Sequence, residues 1–448
     1  MKLSDDAIYG SSLFAATAKL PPPRAALTAD LDVDICIVGG GLAGLTAARE
    51  LALRGRSVVL LEGRRIAWNA SGRNTGFVLP GFAQTPEKIV ARVGLDQARL
   101  LWALSQAGLD YIRETISQHK IPADPSEGWL YVSKTDRKDA MRAEARLLEK
   151  LGASVDLLPK TQTRALLKTP SYFQAIEFRD AFNIQPLTYA LALARLAEQA
   201  GAQIHENTQV LSVDPDGVRK YVVTAHGRLR AAHVVMAGNV HLGAAMPSLA
   251  RTLMPVHTYV VASRPLGAGV ADAIAYRGSV SDTDRADNHY RLVGDRLVLS
   301  GRMTAWQANP RRFIAALRGD IARLYPQLGD VGIDYVWSGV LGNTVHLMPQ
   351  IGQISSGFWI ASGFGGHGLN TTAMAGNIIA RAIAEGDDTW RLFSPFDLVW
   401  AGGVAGRAFA QVSYWTDVAA ERFATGRIKW PPLGRAKKSA ASGSRVAS

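Results

Sequence analysis

Cysteine is almost missing: the chain has one in 448 residues. That excludes a disulfide scaffold and any multi-cysteine metal or iron–sulfur site built from this chain alone. Cys36 sits inside the apolar run DICIV, where a buried, inert thiol is expected, and the lack of disulfides points to a reducing, cytoplasmic setting. Long apolar runs are missing too, since no stretch reaches the ~18 residues a membrane span needs. Asp5 and Asp6 stand where a signal peptide would carry its basic and apolar regions, so no secretion signal is expected. Nothing repeats at a fixed period, which excludes solenoids and propellers. Acids are absent from residues 427–448, which hold Arg427, Lys429, Arg435, Lys437, Lys438 and Arg445. This Ser/Ala/Gly-rich segment carries half of the net charge of +12 and reads as a disordered basic tail. The remaining body is only mildly basic and shows no basic–aromatic interleaving, so no nucleic-acid partner is expected. Peripheral membrane contact through the tail stays open, and no metal site is expected.

What is present fits a globular protein of two or three folding units, at ~100–200 residues per unit, with 48% hydrophobic and 20% charged residues. Residues 1–30, with their Pro21-Pro22-Pro23 run, read as an extended arm. Residues 34–38 are rich in β-branched and apolar types and predict a buried strand. A glycine turn comes next, and then a helix over 43–54 with Leu45, Ala48, Leu51 and Ala52 on one face and Gly55 as its terminator. Residues 57–61 give a second buried strand, completing a βαβ unit. Helical spacing dominates 86–120, 137–151 and 187–200. Short strands are expected at 202–205 and 208–214, with a hairpin turn at Pro215-Asp216-Gly217. Residues 252–264, 289–302 and 332–338 read as strands of a separate sheet, with one helix at 310–325.

Two constellations carry chemistry. The first is Gly39-Gly40-Gly41-Leu42-Ala43-Gly44 between the first strand and its helix. In a G-x-G-x-x-G of this kind the first glycine makes the tight turn and the second lets backbone approach a pyrophosphate. The third lets helix and strand pack closely, and the phosphates rest on the helix N-terminus. Glu62, at the end of the second strand, is placed to accept hydrogen bonds from ribose hydroxyls and disfavours a 2′-phosphate. The residues thus predict a dinucleotide and leave NAD and FAD open. The second constellation is 335–380, which has no Asp, Glu, Lys or Arg. Its glycines (Gly357, Gly363, Gly365, Gly366, Gly368) argue for a backbone that comes close to a bound group. From Asn370 the pattern is helical, so a helix N-terminus would face that group.

The chain resembles the FAD-dependent D-amino-acid-oxidase superfamily, and within it the γ-glutamylputrescine oxidase-like branch, related to sarcosine and glycine oxidases. The resemblance rests on the SLFAATAK arm, the glycine turn, Ser71-Gly72-Arg73-Asn74-Thr75-Gly76, Pro255-Val256-His257-Thr258-Tyr259, Leu347-Met348-Pro349-Gln350-Ile351-Gly352 and Gly363-Phe364-Gly365-Gly366-His367-Gly368-Leu369-Asn370, and spans about residues 10 to 425. It implies an α/β chain: a Rossmann-type FAD-binding domain (31–85, 155–245 and 335–425) and a discontinuous, mainly antiparallel α+β substrate domain (86–154 and 246–334). The arm (1–30) and the tail (426–448) flank them. It implies non-covalent FAD, since no cysteine lies near the flavin motifs. Cofactor contacts are expected from Gly39, Gly41, Leu42, Ala43, Gly44, Glu62, Gly63, Arg64, Ser71, Gly72, Arg73, Asn74, Thr75, Gly76, Val210, Ala237, Gly238, Gly365, Gly366, His367, Gly368, Leu369 and Asn370. Where sarcosine oxidases place a substrate-binding lysine, this sequence has Asn370, which puts a simple N-methyl amino acid in doubt. Substrate contacts are expected from His257, Tyr259, Arg302 and His346, and chemistry from His367 and Arg302.

The implied reaction is oxidation of the C–N bond of a small amine, with O2 as acceptor and hydrogen peroxide as product. A flavin takes the hydride, so no essential general base is required. A cation near the ring, Arg302 or His367, would help oxygen reduction. Three alternatives stay open: a dehydrogenase passing electrons to a quinone or electron-transfer protein, a tRNA-modifying flavoenzyme, and a flavin-binding partner without catalysis.

Overall fold

A computed structural model describes residues 9–267, 269–283 and 288–424. The basic tail and the first residues of the arm lie outside the described residues. The strand Leu31–Val38 forms the middle of the first sheet. Val58–Leu61 pairs with it in parallel on one side and Arg228–Met236 on the other. Gln203–His205 extends the sheet beyond Val58–Leu61, while Phe358–Ser362 and then Gln350–Ser355 extend it beyond Arg228–Met236. The strands are apolar on both faces because both faces are covered. Ile35 and Ile37 pack with the helices Leu42–Leu53, Pro186–Gln199 and Gly368–Glu385. Val33, Cys36 and Val38 pack instead with the antiparallel meander Val210–Asp214, Lys220–Thr224 and Arg228–Met236. Cys36 is fully buried, and burial pushes its thiol up to about 12.

The second sheet runs in the order Ile333–Asn343, Met254–Ser263, Arg296–Thr304, His289–Val293, Ser279–Asp282, Ser126–Val132, Ala175–Asn183, Phe77–Val78. Its ladders are antiparallel except for the parallel pair Ser279–Asp282 with Ser126–Val132. Here the sequence reading needs correction. It assigns Val155–Leu158 and Ala175–Asn183 to the nucleotide-binding unit, yet both pair in the second sheet, as does Phe77–Val78. Ile333–Asn343 also belongs wholly to this sheet, running well past the boundary at 335. Each of these pairings is long-range, and local apolar pattern says nothing about which partner a strand finds.

Two close approaches fix where the layers meet. The helix Leu95–Gln118 crosses the start of Gly368–Glu385 at Gly108, where a Cβ would come within 2.1 Å of the Asn370 carbonyl oxygen. Gly44 meets the first turn in the same way, a Cβ there falling 2.1 Å from the Gly39 carbonyl oxygen. The N-termini of Leu42–Leu53 and Gly368–Glu385 therefore open into the same interior. No helix among the described residues is long and apolar enough to cross a membrane.

Candidate active site

One cavity of about 900 Å³ joins the two glycine constellations, at the upper end of the range for small-molecule sites. At one end it is lined by Gly39, Gly41, Leu42, Ala43, Glu62, Gly63, Arg64, Val210, Ala237 and Gly238. Gly39 has φ +118°, and a Cβ there would lie 2.7 Å from the Ala237 backbone, so only glycine lets the turn lie against that strand end. The Glu62 carboxylate accepts from Gly40 N and Arg64 N, each at 2.8 Å. Burial raises its pKa and these two donors oppose the rise. Ser71 Oγ accepts from Leu42 N at 3.1 Å, which places a hydroxyl at the first free N–H of the helix. Arg64 lies over the Trp68 ring at 4.2 Å.

At the other end Gly365, Gly366, His367, Gly368 and Leu369 line the cavity together with Arg302. His367 is the N-cap of Gly368–Glu385, and a Cβ at Gly366 or Gly368 would meet nothing within 4 Å. A helix start with open space beside its first glycine thus stands at this end of the cavity.

The residues present fit a dinucleotide. The Gly39–Gly44 cradle stands at one end of the cavity and a helix N-terminus at the other. Asn239 Oδ1 and Asn343 Oδ1, on residues that line the same cavity, are buried and accept no hydrogen bond among the described residues. Buried acceptors of this kind call for a donor, which the hydroxyls and imide N–H of a bound flavin nucleotide would supply. Ser71, Arg73, Asn74 and Thr75 also line the cavity. Arg73 donates to the carbonyls of Tyr9 and Ser338, and Asn74 Nδ2 donates to those of Ala70 and Ser71. Arg73 therefore ties arm, loop and second sheet together, and Asn74 holds its own loop.

Several expected residues lie elsewhere. Gly44, Gly72, Gly76 and Asn370 do not line the cavity. A Cβ at Gly72 or Gly76 would run into the carbonyl of Ala67 or Ile184. Asn370 is fully buried and donates to Gly81 O at 3.1 Å. These four pack behind the cavity walls. His257 and Tyr259 are on the wrong face of their strand, whose Thr258 and Val260 line the cavity instead. Tyr259 stacks on Phe313 at 3.9 Å, and its hydroxyl lies 2.7 Å from Thr304 Oγ1. His346 lines a separate small pocket with Phe396. Its Nδ1 accepts from Met348 N at 3.1 Å, so Nε2 carries the proton and donates to Asp397 O at 3.1 Å. That histidine is structural.

The sequence reading missed an aromatic wall. Phe77, Trp129, Tyr131 and Phe178 line the cavity with Ser281 and His289. Trp129 stacks on Phe178 at 4.3 Å and meets the His367 ring edge-on at 6.3 Å. Trp129 Nε1 donates to Ser281 Oγ at 3.0 Å, and that hydroxyl lies 2.7 Å from His289 Nδ1. The only signal in the sequence was an aromatic at alternate strand positions, which core strands share.

Charge at this end also differs from expectation. Burial, with His289 adding to it, pushes His367 down to about 4, so it is neutral near pH 7 and supplies no cation. Arg302 keeps its charge but is ion-paired with Asp320, and its Nη1 donates to Gly301 O at 2.7 Å. His241, in the cavity lining at the nucleotide end, is likewise pushed down to about 4 by burial and by Arg64. An unfolded histidine titrates near 6.5. Between about pH 6.5 and 4 the unfolded chain therefore holds more protons than the folded one, and stability rises with pH across that window. The melting temperature should fall as pH is lowered from about 7 to about 5, and His241→Gln with His367→Gln should flatten the fall. A double variant with the parent's slope would sink this assignment.

Comparison with known proteins agrees with the geometry. Residues 34–382 match the family model described as DAO, FAD dependent oxidoreductase. The chain is 32% identical to gamma-glutamylputrescine oxidoreductase of Escherichia coli (strain K12), over 84% of this chain and 89% of that protein. It is 31% identical to the probable oxidoreductase OrdL of Haemophilus influenzae, over 80% and 85%. Glycine oxidase from Bacillus cereus ATCC 14579 superposes with a TM-score of 0.67 at 21% identity, over 81% of this chain and 98% of that one. L-proline dehydrogenase from P. horikoshii superposes with 0.68 at 19%, over 82% and 99%, and at these identities both structures speak for the fold alone. The chain belongs to the DAO family of FAD-dependent oxidoreductases and is an enzyme of its amine and amino-acid oxidase group.

Proposed function

We propose that this enzyme oxidises the C–N bond of a small cationic amine, of the γ-glutamylputrescine type or a related primary or secondary amine, with O2 as acceptor. The observation that carries the reading is the aromatic wall of Trp129, Phe178, Tyr131 and Phe77, set beside the helix start at Gly368 in the same cavity as the nucleotide cradle. Aromatic faces attract an ammonium group, by about 0.5–2 kcal/mol depending on desolvation. Bound FAD, held without a covalent link, would supply the acceptor for one hydride, and so for two electrons, from the carbon beside the amine nitrogen.

This chain's residues do the rest. Trp129, fixed by Phe178 and by its bond to Ser281, orients the amine. Neutral His367 offers a lone pair as hydrogen-bond acceptor for an N–H of the amine. The free N–H groups at Gly368 and Leu369 stabilise negative charge that gathers above them. Arg302, damped by Asp320, marks where a substrate carboxylate or amide oxygen would sit. The balance is amine, O2 and water in, and carbonyl compound, ammonia or a smaller amine, and hydrogen peroxide out.

Anaerobic addition of an amine panel to flavin-loaded enzyme tests the reading. At least one of γ-glutamylputrescine, diamines, N-methyl amino acids and the D- and L-amino acids should bleach the flavin, and air should then yield one peroxide per turnover. Absence of bleaching across the panel would end it, and faster reoxidation by quinone than by air would move it to a dehydrogenase. Trp129→Ala should keep its flavin but lose roughly 10–100-fold in kcat/KM, with Trp129→Phe in between. Parent-like kcat/KM in the alanine variant would remove Trp129 from the substrate site.

A further inference from the structure

The C-terminal helix Gly403–Ala424 is apolar on its outer face. Its inner face is held: Gln411 Oε1 accepts from Ala305 N at 2.8 Å, and the Tyr414 hydroxyl accepts from Met303 N at 3.4 Å. Beside and beyond these contacts the helix exposes Val404, Ala408, Phe409, Val412 and Trp415. Phe409 is 77% exposed, Val404 74% and Trp415 61%. The loop before the helix continues the stripe with Leu398, Val399 and Trp400, the last 65% exposed. A surface helix ordinarily turns polar side chains outward, and a continuous exposed apolar patch marks an interaction site.

The charge of the C-terminal sequence indicates the occupant. From Gly403 to the end there are eight basic residues, Arg407 and Arg422 among them, against only Asp417 and Glu421, and residues 427–448 contain no acid. A stable dimer needs ~20–30 residues a side, far more than seven large side chains. An anionic bilayer surface offers both partners at once: an apolar boundary for the stripe and headgroup charge for the basic segment.

We propose that this helix face docks the enzyme on an anionic lipid surface. The helix lies in the interface plane and does not span it. Because Tyr414 braces the strand that carries Arg302 and Met303, the docked face adjoins the substrate end of the cavity.

Co-sedimentation of the full-length, flavin-loaded enzyme with vesicles tests this. Vesicles of phosphatidylcholine containing phosphatidylglycerol should pellet it, and pure phosphatidylcholine or added salt should weaken the binding. Phe409→Ser combined with Trp415→Ser should reduce binding on the order of tenfold or more, with flavin content and amine turnover unchanged. Equal pelleting of variant and parent, or pelleting of neither, overturns the proposal. Light scattering that shows a parent dimer and a variant monomer, with no vesicle binding by either, assigns the face to a second copy and overturns it too.

Discussion

Gly44→Val should yield protein without flavin. The Cβ would stand 2.1 Å from the Gly39 carbonyl oxygen and 3.2 Å from Ile37 Cγ2. Overpacking usually costs about 1–3 kcal/mol, but here the obstacle is backbone, and no change of rotamer relieves it. The start of Leu42–Leu53 must back away from the turn, taking Gly41 and the free N–H groups with it. The variant should therefore lose stability, by about 3 kcal/mol or more, together with its cofactor. Gly55→Ala is the control. It too has a positive φ, +74°, but a Cβ there meets nothing within 4 Å. That change should cost about 1 kcal/mol and leave the flavin absorbance intact. A Gly44→Val enzyme with full flavin would refute the cradle.

Glu206→Leu should cost about 3–5 kcal/mol, the usual loss when one partner of a buried ion pair is removed. Glu206 is fully buried and Arg65 is 1% exposed. Glu206 Oε2 accepts from Arg65 Nε at 3.0 Å and from Arg24 N at 2.8 Å, and Oε1 accepts from Ile66 N at 2.7 Å. Arg65 Nη2 donates in turn to Pro21 O at 2.7 Å. One carboxylate thus fastens the proline-rich arm and the loop after the second strand to the edge of the first sheet. Leucine removes the acceptor of Arg65 Nε and of the backbone N–H groups of Arg24 and Ile66. Glu206→Gln keeps one acceptor oxygen and should cost less. Chemical denaturation that finds the leucine variant within about 1 kcal/mol of the parent would show that Arg65 finds other compensation.

The nucleotide half of the site was legible because its signals are local. A glycine at φ +118°, a helix N-terminus after a buried strand and an acid at a strand end all fall within one βαβ unit. The uncharged stretch 335–380 signalled a buried, close-packed wall for the same reason, since each of its glycines is a local demand on backbone. Of the expected substrate residues only Arg302 lines the cavity. His257 and Tyr259 belong to a strand that is half-buried through Thr258 and buried on both faces beyond it, so alternation cannot say which side faces the cavity.

The sequence by itself determined the dinucleotide turn, the carboxylate at the end of the second strand and the helix start that follows the late glycines, because turn geometry and the 2.0 and 3.6 periodicities act over a few residues. Only the tertiary structure decided the aromatic wall, the neutral state of His367 and the pairing of Arg302 with Asp320. The wall draws Phe77, Trp129, Phe178 and His289 from four different strands of the second sheet. Strand order, burial and ion pairing are properties of long-range contact, and no local pattern encodes them.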